Sequence, residues 1–271
     1  MLYPRSFLFV PGDRPERFDK ALRCGAEAVI LDLEDAVGDA SKDAARDQVG
    51  RWLAAMDAAD RARVAVRLNG LETAWFEADA AMVRAAGARM AMLPKAESSA
   101  AVARLRSLAG DDVGVLALIE TARGVRDVDD VAAAAGVVRL AFGTVDYTVD
   151  MGLSGDPAGF DYAAARIAVA SRACGLAAPI AGVTLEIADT ALVRADVERA
   201  RVHGFGAKLC IHPQQVAAVH EALAPSAAQV DWAQRVLAAA QASPQGALQV
   251  DGRMVDRPVL ERARTILGRR S

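Results

Sequence analysis

The feature that most constrains the fold of this chain is an alternation, repeated eight times, of a short apolar run with a longer segment of helical periodicity. The apolar runs span residues 6–10, 28–33, 64–68, 90–94, 114–120, 138–142, 180–184 and 207–211. Segments with apolar residues three and four positions apart follow at 15–24, 42–58, 73–86, 98–108, 125–135, 160–174, 189–203 and 213–223. Runs that are apolar on both faces are typical of parallel strands covered by helices. Eight such units predict an α/β fold, a closed (β/α)8 TIM barrel.

An open doubly wound sheet is the alternative arrangement of the same units. Residues 10–15, directly after the first strand, contain one glycine and lack the GxGxxG pattern of dinucleotide-binding sheets, which favours the barrel. We assign residues 1–224 to the barrel. Residues 225–271 form an extension that barrel closure does not require. The polar stretch 242–250, with its glycine and proline, is expected to detach a C-terminal arm.

The composition indicates a soluble globular chain and excludes several classes of partner. The 271 residues are 53% hydrophobic and carry 32 basic against 35 acidic side chains, so no basic field can hold nucleic acid. No apolar run approaches the roughly 20 residues of a membrane helix, and the first residues lead into a strand rather than a secretory signal. Cys24, Cys174 and Cys210 lie far apart and indicate neither a disulfide framework nor a zinc site. We expect buried thiols in a cytoplasmic protein.

Polar side chains occupy the predicted carboxyl ends of the strands, where the active site of a TIM barrel lies. They are Asp32, Glu34, Asp35, Arg67, Asn69, Lys95, Glu120, Asp146 and His212. Glu120 and Asp146 each place one hard oxygen ligand at this rim. Two carboxylates completed by water and substrate oxygens are the usual protein site for Mg²⁺. Taken singly, each acid could instead cap a helix.

Three of these rim residues each have two interpretations. Arg67 lies in a run that should be buried, so it needs an anionic partner, either a substrate carboxylate or a salt bridge to Asp32 or Glu34. Lys95 could form a Schiff base or belong to a salt-bridged loop. His212 precedes a proline and is either a helix-start residue or a ligand contact.

Seven motifs at these strand ends resemble the citrate lyase β-subunit and malyl-CoA lyase family of the HpcH/HpaI aldolase superfamily. They are residues 5–12 (RSFLFVPG), 31–37 (LDLEDAV), 66–69 (VRLN), 93–95 (LPK), 118–120 (LIE), 142–146 (FGTVD) and 208–213 (KLCIHP). They occur in the family's order over nearly the whole chain. The resemblance implies a magnesium-dependent carbon–carbon lyase that cleaves a 3-hydroxy-3-carboxyacyl-CoA thioester, of the citramalyl-CoA or malyl-CoA type, to acetyl-CoA and a 2-oxoacid.

The resemblance also implies a role for each matching residue. Glu120 and Asp146 correspond to the magnesium ligands, and Arg67 to a catalytic residue that binds the substrate beside the metal. Glu34 and Asp35 correspond to acids that lie outside the direct ligands and orient water at the metal. The remaining positions correspond to coenzyme A and substrate contacts, namely Phe9, Arg14, Lys20, Ile211 and His212.

The C-terminal arm resembles the family's lid segment. Residues 252–259 (GRMVDRPV) carry Asp256, which the resemblance makes an acid/base that reaches the active site of a neighbouring subunit in a homotrimer. Without the resemblance Asp256 is an exposed acid before a terminal helix.

The sequence leaves several alternatives open. The chain could be the β-subunit of a citrate lyase that acts on citryl-acyl carrier protein with partner subunits. It could also act as a malyl-CoA synthase or thioesterase at the same site. A non-catalytic binding subunit is the third possibility, and the oxoacid released is not determined.

Overall fold

The computed structural model describes residues 3–242 and 248–268 and contains a closed parallel barrel, which confirms the predicted TIM-barrel fold. The eight strands neighbour one another in chain order, so β8 closes the barrel against β1. The strands are β1 Ser6–Pro11, β2 Ala28–Asp32, β3 Val64–Arg67, β4 Met90–Leu93, β5 Gly114–Ile119, β6 Val137–Phe142, β7 Ile180–Ala181 and β8 Ala207–Cys210.

Helices follow each strand, as the periodic segments predicted. Those up to the end of the barrel are α1 Phe18–Arg23, α2 Lys42–Ala55, α3 Ala58–Arg61, α4 Phe76–Ala85, α5 Ser99–Ala109, α6 Ala122–Arg126, α7 Val128–Ala133, α8 Thr144–Met151, α9 Asp161–Ala173, α10 Thr190–Val202 and α11 Gln214–Leu223. Single 3₁₀ turns occupy Pro15–Arg17, Asp39–Ser41 and Pro157–Phe160. The sequence did not predict α3 or α8.

The barrel interior is a packed core. One buried cluster draws residues from all eight strands, and they alternate along each strand as a pleated backbone requires. Its members are Phe7, Ala28, Ile30, Ala65, Met92, Leu116, Leu118, Ala141, Ile180, Ala207 and Leu209. The residues between them in each strand therefore face the surrounding helices.

Strand β7 is the main departure from the predicted strand lengths. The apolar run 180–184 predicted a longer strand, but ladder pairing ends at Ala181. Gly182 explains the early end. A Cβ atom built there would lie 2.9 Å from the carbonyl oxygen of Phe142 and 2.8 Å from Cγ2 of Thr144. The backbone thus approaches the end of β6 more closely than a side chain would allow.

The chain divides into two compact units, with the boundary between Ala222 and Leu223. The second contains α12 Ala227–Ala242, an antiparallel hairpin of β9 Leu248–Val250 and β10 Arg253–Val255, and α13 Arg257–Gly268. A small core of Ala233, Val236, Val255 and Ala263 holds it together. The sequence placed this boundary two residues later, and the role of the second unit as a lid stays a prediction.

The three cysteines differ in exposure. Cys210 is buried, Cys24 is half-buried and Cys174 is exposed, so the expectation of three buried thiols holds only for Cys210. Cys174 caps α9 just before Gly175, in a surface turn. Among the described residues, no helix is both long and apolar enough to cross a bilayer.

Candidate metal and substrate site

The candidate site continues the inward-facing side of the barrel beyond its apolar core. Phe9, Asp32, Arg67, Glu120 and Ile211 each follow a core residue of their strand by two positions, so all five point to the barrel mouth. Strand parity therefore brings together side chains that are far apart in sequence.

These side chains line a cavity of about 360 Å³ at the carboxyl ends of the strands. Six of the predicted site residues line it, namely Phe9, Asp35, Arg67, Glu120, Asp146 and Ile211. The remaining lining residues are Pro11, Asp32, Ala36, Leu118, Gly143, Thr144, Val145, Val183 and Leu209. A larger cleft of about 670 Å³ shares Asp35 with it and includes Glu34 and Lys95 in its wall.

Arg67 is the cationic centre of the site. Its Nε and Nη2 donate to Asp32 Oδ1 and Oδ2 at 2.7 and 2.6 Å, a two-point pair made possible because the two residues are in register on β2 and β3. Its Nη1 lies 2.8 Å from Glu34 Oε2 and donates to Asp35 Oδ2 at 3.1 Å. The salt-bridge interpretation of Arg67 is thus observed. Arg67 also lines the cavity, so contact with a substrate stays a prediction.

Glu120 is held in one orientation from two sides. It is 2% exposed, and its Oε1 accepts a hydrogen bond from the backbone N–H of Lys95 at 2.8 Å. Lys95 directs this N–H through a left-handed backbone with φ of 46°. Opposite, Glu120 lies against Gly143, where a Cβ atom would come within 2.6 Å of the Glu120 Cβ and still closer to Oε2. Among the described residues, Oε2 has no hydrogen-bond donor.

Asp146 lies in the first turn of α8 rather than on an extension of β6. It is half-buried and lines the same cavity as Glu120. An acid in the first turn also stabilises a helix through its dipole, so this position has a structural reason as well.

The cavity carries an excess of negative charge. Asp32, Asp35, Glu120 and Asp146 line it against the single cation of Arg67. Burial, together with the charges of Glu34 and Asp146, raises the pKa of Glu120 to about 8. Burial likewise raises the pKa of Glu34, to about 7, although Arg67 opposes the shift.

The residues present fit a magnesium ion. Glu120 Oε2 has no hydrogen-bond donor in the described chain, and burial together with the neighbouring carboxylates raises the pKa of Glu120. The four carboxylates that line the cavity also exceed the single charge of Arg67. A divalent cation would offset that charge. No group of three or more His, Cys, Asp or Glu side chains is arranged for a metal within residues 3–242 and 248–268. Magnesium commonly uses one or two carboxylates with water and substrate oxygens, whereas structural zinc takes four protein ligands.

Of the two interpretations of Lys95, a Schiff base or a salt-bridged loop, the structure shows the salt-bridged loop. Its Nζ lies 3.5 Å from Glu34 Oε1. Burial alone would lower the pKa of Lys95, but the carboxylates of Glu34, Glu120, Asp146 and Asp35 raise it. A more firmly protonated amine is a poor nucleophile, which argues against a Schiff base.

Several predicted contacts do not line the cavity. Arg14 and Lys20 are exposed, Arg14 just before the first 3₁₀ turn and Lys20 on α1. His212 is half-buried before α11, and its Nδ1 accepts a hydrogen bond from the N–H of Gln214 at 3.3 Å. This hydrogen bond corresponds to the interpretation of His212 as a helix-start residue. Asp256 is exposed in the second unit, where its Oδ1 caps α13 by accepting from the N–H of Val259 at 3.1 Å.

Sequence reasoning missed two contributions to the site. The backbone N–H of Lys95 and the open face of Gly143 both hold Glu120, and neither is a functional group that residue type reveals. The glycine within residues 142–146 offered a signal, because a glycine between a strand and a helix often marks a close approach.

Comparisons with known proteins identify the family of the chain. The model of the HpcH/HpaI aldolase/citrate lyase family matches residues 5–213. The chain is 40% identical over 270 residues to a citrate lyase subunit beta-like protein of Mycobacterium tuberculosis, with 97% of this chain and 94% of that protein covered. It is 33% identical over 270 residues to a (3S)-malyl-CoA thioesterase of Cereibacter sphaeroides, with 98% and 94% covered.

A solved structure is also similar over nearly the full length. The crystal structure of the protein CitE from Mycobacterium tuberculosis, in complex with magnesium, acetoacetate and coenzyme A, superposes with a TM-score of 0.88 at 36% identity. The alignment covers 98% of each chain.

Proposed function

The chain belongs to the HpcH/HpaI aldolase/citrate lyase family, and from this membership we propose that it is a magnesium-dependent carbon–carbon lyase. Its substrate would be a 3-hydroxy-3-carboxyacyl-CoA thioester of the citramalyl-CoA or malyl-CoA type. The products would be acetyl-CoA and a 2-oxoacid. The observation that carries the proposal is the pairing of Glu120 and Asp146 in one acidic cavity beside Arg67.

Glu120 and Asp146 would hold Mg²⁺ through their carboxylate oxygens. When bound, Mg²⁺ supplies a Lewis acid that lowers the pKa of the substrate hydroxyl and stabilises charge on the oxoacid. The Lys95 N–H and Gly143 keep Glu120 in one orientation, so little reorganisation is needed when a ligand arrives.

The reaction redistributes one proton and one pair of electrons. The hydroxyl proton passes to water, the carbon–carbon bond breaks, and its electrons pass to the enolate of the acetyl thioester. In this direction Asp256 starts as the carboxylic acid and regains its proton from water after the reaction. Arg67 offsets the negative charge, and Asp256 protonates the enolate carbon. In the condensing direction Asp256 removes that proton instead. We propose that Asp256 comes from a neighbouring subunit of a homo-oligomer, as the family resemblance implies.

The charge of the cavity favours an oxoacid with one carboxylate. Arg67 is the only cationic side chain lining it in the described chain, and three carboxylates already contact that guanidinium. A second substrate carboxylate would find no further cation in the cavity and would be repelled by its acidic side chains. This supports citramalyl-CoA or malyl-CoA over citryl-acyl carrier protein.

Hydrolysis of malyl-CoA at the same site is the second candidate. The 33% identity to a (3S)-malyl-CoA thioesterase supports it. A thioesterase would release free coenzyme A and malate from malyl-CoA instead of acetyl-CoA and glyoxylate.

The test is to incubate the purified protein and Mg²⁺ with citramalyl-CoA and with malyl-CoA, and to identify the thioester and acid formed. We expect acetyl-CoA with pyruvate or glyoxylate, and no turnover with E120Q or D146N. Free coenzyme A would identify the thioesterase. Turnover of citryl-acyl carrier protein alone would identify the citrate lyase subunit, and full activity in E120Q or D146N would contradict the metal assignment.

A further inference from the structure

The segment after β7 lies in the wall of the cavity without a strand ladder to hold it. Ladder pairing ends at Ala181, and the chain continues through Gly182, Val183 and Thr184. Val183 lines the cavity that contains Glu120 and Asp146. A wall built on unpaired backbone would ordinarily yield to a ligand.

Three side chains take the place of the missing ladder, and we call them the β7 clamp: Lys208, Asp196 and Gln215. Lys208 Nζ donates to the carbonyl oxygen of Gly182 at 2.6 Å. Gln215 Nε2 donates to the carbonyl oxygen of Thr184 at 2.8 Å, and the Thr184 hydroxyl is hydrogen-bonded to Asp196. The clamp therefore fixes the backbone on both sides of Val183.

Lys208 and Gln215 are buried, as is the Thr184 that they help to hold, whereas Asp196 is half-buried. Lys208 and Thr184 are each 3% exposed, and Gln215 is 1% exposed. Lys208 Nζ also lies 3.8 Å from Asp196 Oδ2. Breaking one of these contacts would leave a buried polar group without a hydrogen-bond partner, so the segment resists displacement.

Val183 lines the same cavity as Glu120 and Asp146. Its neighbour Gly182 approaches Thr144, at the start of the helix that carries Asp146. Val183 also packs against the barrel core, as does Phe9. With Leu118, Leu209 and Ile211 it belongs to the apolar lining of the cavity, which also includes Phe9, Pro11, Ala36 and Val145.

We propose that Val183, fixed by the β7 clamp, sets the size of the alkyl group that the site accepts on the 2-oxoacid. This rests on the proposed lyase function. The carboxylate and hydroxyl of the substrate belong with Arg67 and the metal ligands, so the remaining substituent lies against the apolar wall. Because the clamp keeps Val183 from moving away from the cavity, a 2-oxoacid with a larger alkyl group is excluded.

The first test compares V183A with the wild type. Condensation of acetyl-CoA with glyoxylate, pyruvate and 2-oxobutyrate is measured with Mg²⁺, and Mg²⁺-dependent binding of each oxoacid is measured by calorimetry. In V183A we expect the ratio of kcat/KM for 2-oxobutyrate over pyruvate to rise about 10-fold or more, since one methylene is worth that much in a pocket. Turnover with an unchanged ratio of kcat/KM for 2-oxobutyrate over pyruvate would overturn this inference and leave the lyase proposal standing.

The second test weakens the clamp and adds a readout, hydrogen exchange, that needs no substrate. T184V removes the hydroxyl bond to Asp196 at nearly constant volume. Hydrogen exchange should quicken in peptides covering 180–186, and the preference should broaden in the direction of V183A.

The matched control for the clamp is S6A, which deletes a buried hydroxyl at the opposite end of the barrel. It should lower Tm without changing the order of preference. If T184V lowers Tm like S6A and changes neither exchange nor preference, the clamp has no positioning role. Absence of both turnover and oxoacid binding in the wild type, with exchange in T184V behaving as expected, would overturn the lyase proposal and the size selection but not the clamp.

Discussion

Arg67 makes more ion pairs than any other residue of the barrel mouth. Its side chain is 10% exposed and contacts Asp32, Glu34 and Asp35, of which Asp32 and Glu34 are themselves buried. The centre of the Phe9 ring lies 4.9 Å from the guanidinium carbon, so the ring packs against one face of the guanidinium. The same cation thus serves stability and the proposed chemistry.

Replacing Arg67 by methionine should be costly to the fold. R67M leaves Asp32 and Glu34 buried without their cation, and we expect the free energy of unfolding to fall by about 3 to 5 kcal/mol in denaturant titrations. R104M is the control, because Arg104 pairs with Glu77 on the surface. It should cost about 1 kcal/mol or less. Equal losses in the two variants would contradict this account of Arg67.

Gly143 should be required for metal binding although it has no functional group. In G143A the new methyl would collide with Glu120, whose Cβ would be 2.6 Å away, so the carboxylate must move. A displacement of about 1 Å can cost about 100-fold in rate. We expect kcat/KM to fall by about that factor and magnesium affinity, measured by calorimetry, to weaken.

The control for this substitution is G38A. A Cβ atom at Gly38 meets nothing within 4 Å, and its φ is −69°, which alanine adopts freely. G38A should match the wild type, and a G143A protein with normal magnesium affinity would refute the close-packing argument.

At the scale of elements, a contact between β1 and α11 ties the last barrel helix to the first strand. The Nε2 atom of His220 on α11 lies 2.9 Å from the hydroxyl oxygen of Ser6. That oxygen also accepts a hydrogen bond from the backbone N–H of Glu27. Burial lowers the pKa of His220, Glu27 opposes the shift and Arg5 adds to it. The neutral imidazole is therefore favoured in the folded protein.

This contact predicts a pH dependence of stability. Below about pH 6.5 the unfolded histidine takes up a proton that the folded one resists, so stability is lost as the pH falls from 6.5 toward the lower folded pKa. The difference in free energy of unfolding between wild type and H220Q should therefore shrink from about pH 7.5 to about pH 5.5. A constant difference across this range would rule out the contribution of His220.

Elements also differed in how far the sequence revealed them. The run 180–184 predicted a strand, yet side chains of the β7 clamp hold its second half. Helix α8 escaped prediction because it is short and lies between Gly143 and the left-handed Gly152. Both segments border the cavity, where packing against neighbouring strands decides the conformation and the local sequence pattern does not predict it.

At the scale of the whole molecule, the proposed oligomer makes a prediction about mixed subunits. D256N and E120Q should each be inactive alone. If Asp256 serves a neighbour, a mixed oligomer combines an intact barrel of D256N with an intact arm of E120Q. We therefore expect cleavage activity to return when the two variants are co-expressed and purified together.

The control mixture joins E120Q with D146N, whose lesions lie in the same cavity. It should stay inactive. No recovery in the D256N and E120Q mixture, despite oligomers by light scattering, would show that the arm does not act between subunits.

The sequence by itself determined a parallel sheet covered by helices, favoured its closure into a barrel, and identified most residues of the rim. Eight apolar runs can be buried on both faces only in a parallel sheet covered by helices, and the period of two along a strand places Asp32, Arg67 and Glu120 on the inner side. Those rules act locally, so residue type and spacing are sufficient. They also identified Asp146, although not the helix on which it lies.

Only the tertiary structure decided how those groups are held and paired. Which acid pairs with Arg67, which N–H fixes Glu120 and what supports Val183 depend on contacts between residues distant in the chain. Such contacts arise from the closure of the barrel and the close approach of its strand ends. A hydrogen bond depends on distances of a few tenths of an ångström, which no periodicity in the sequence encodes.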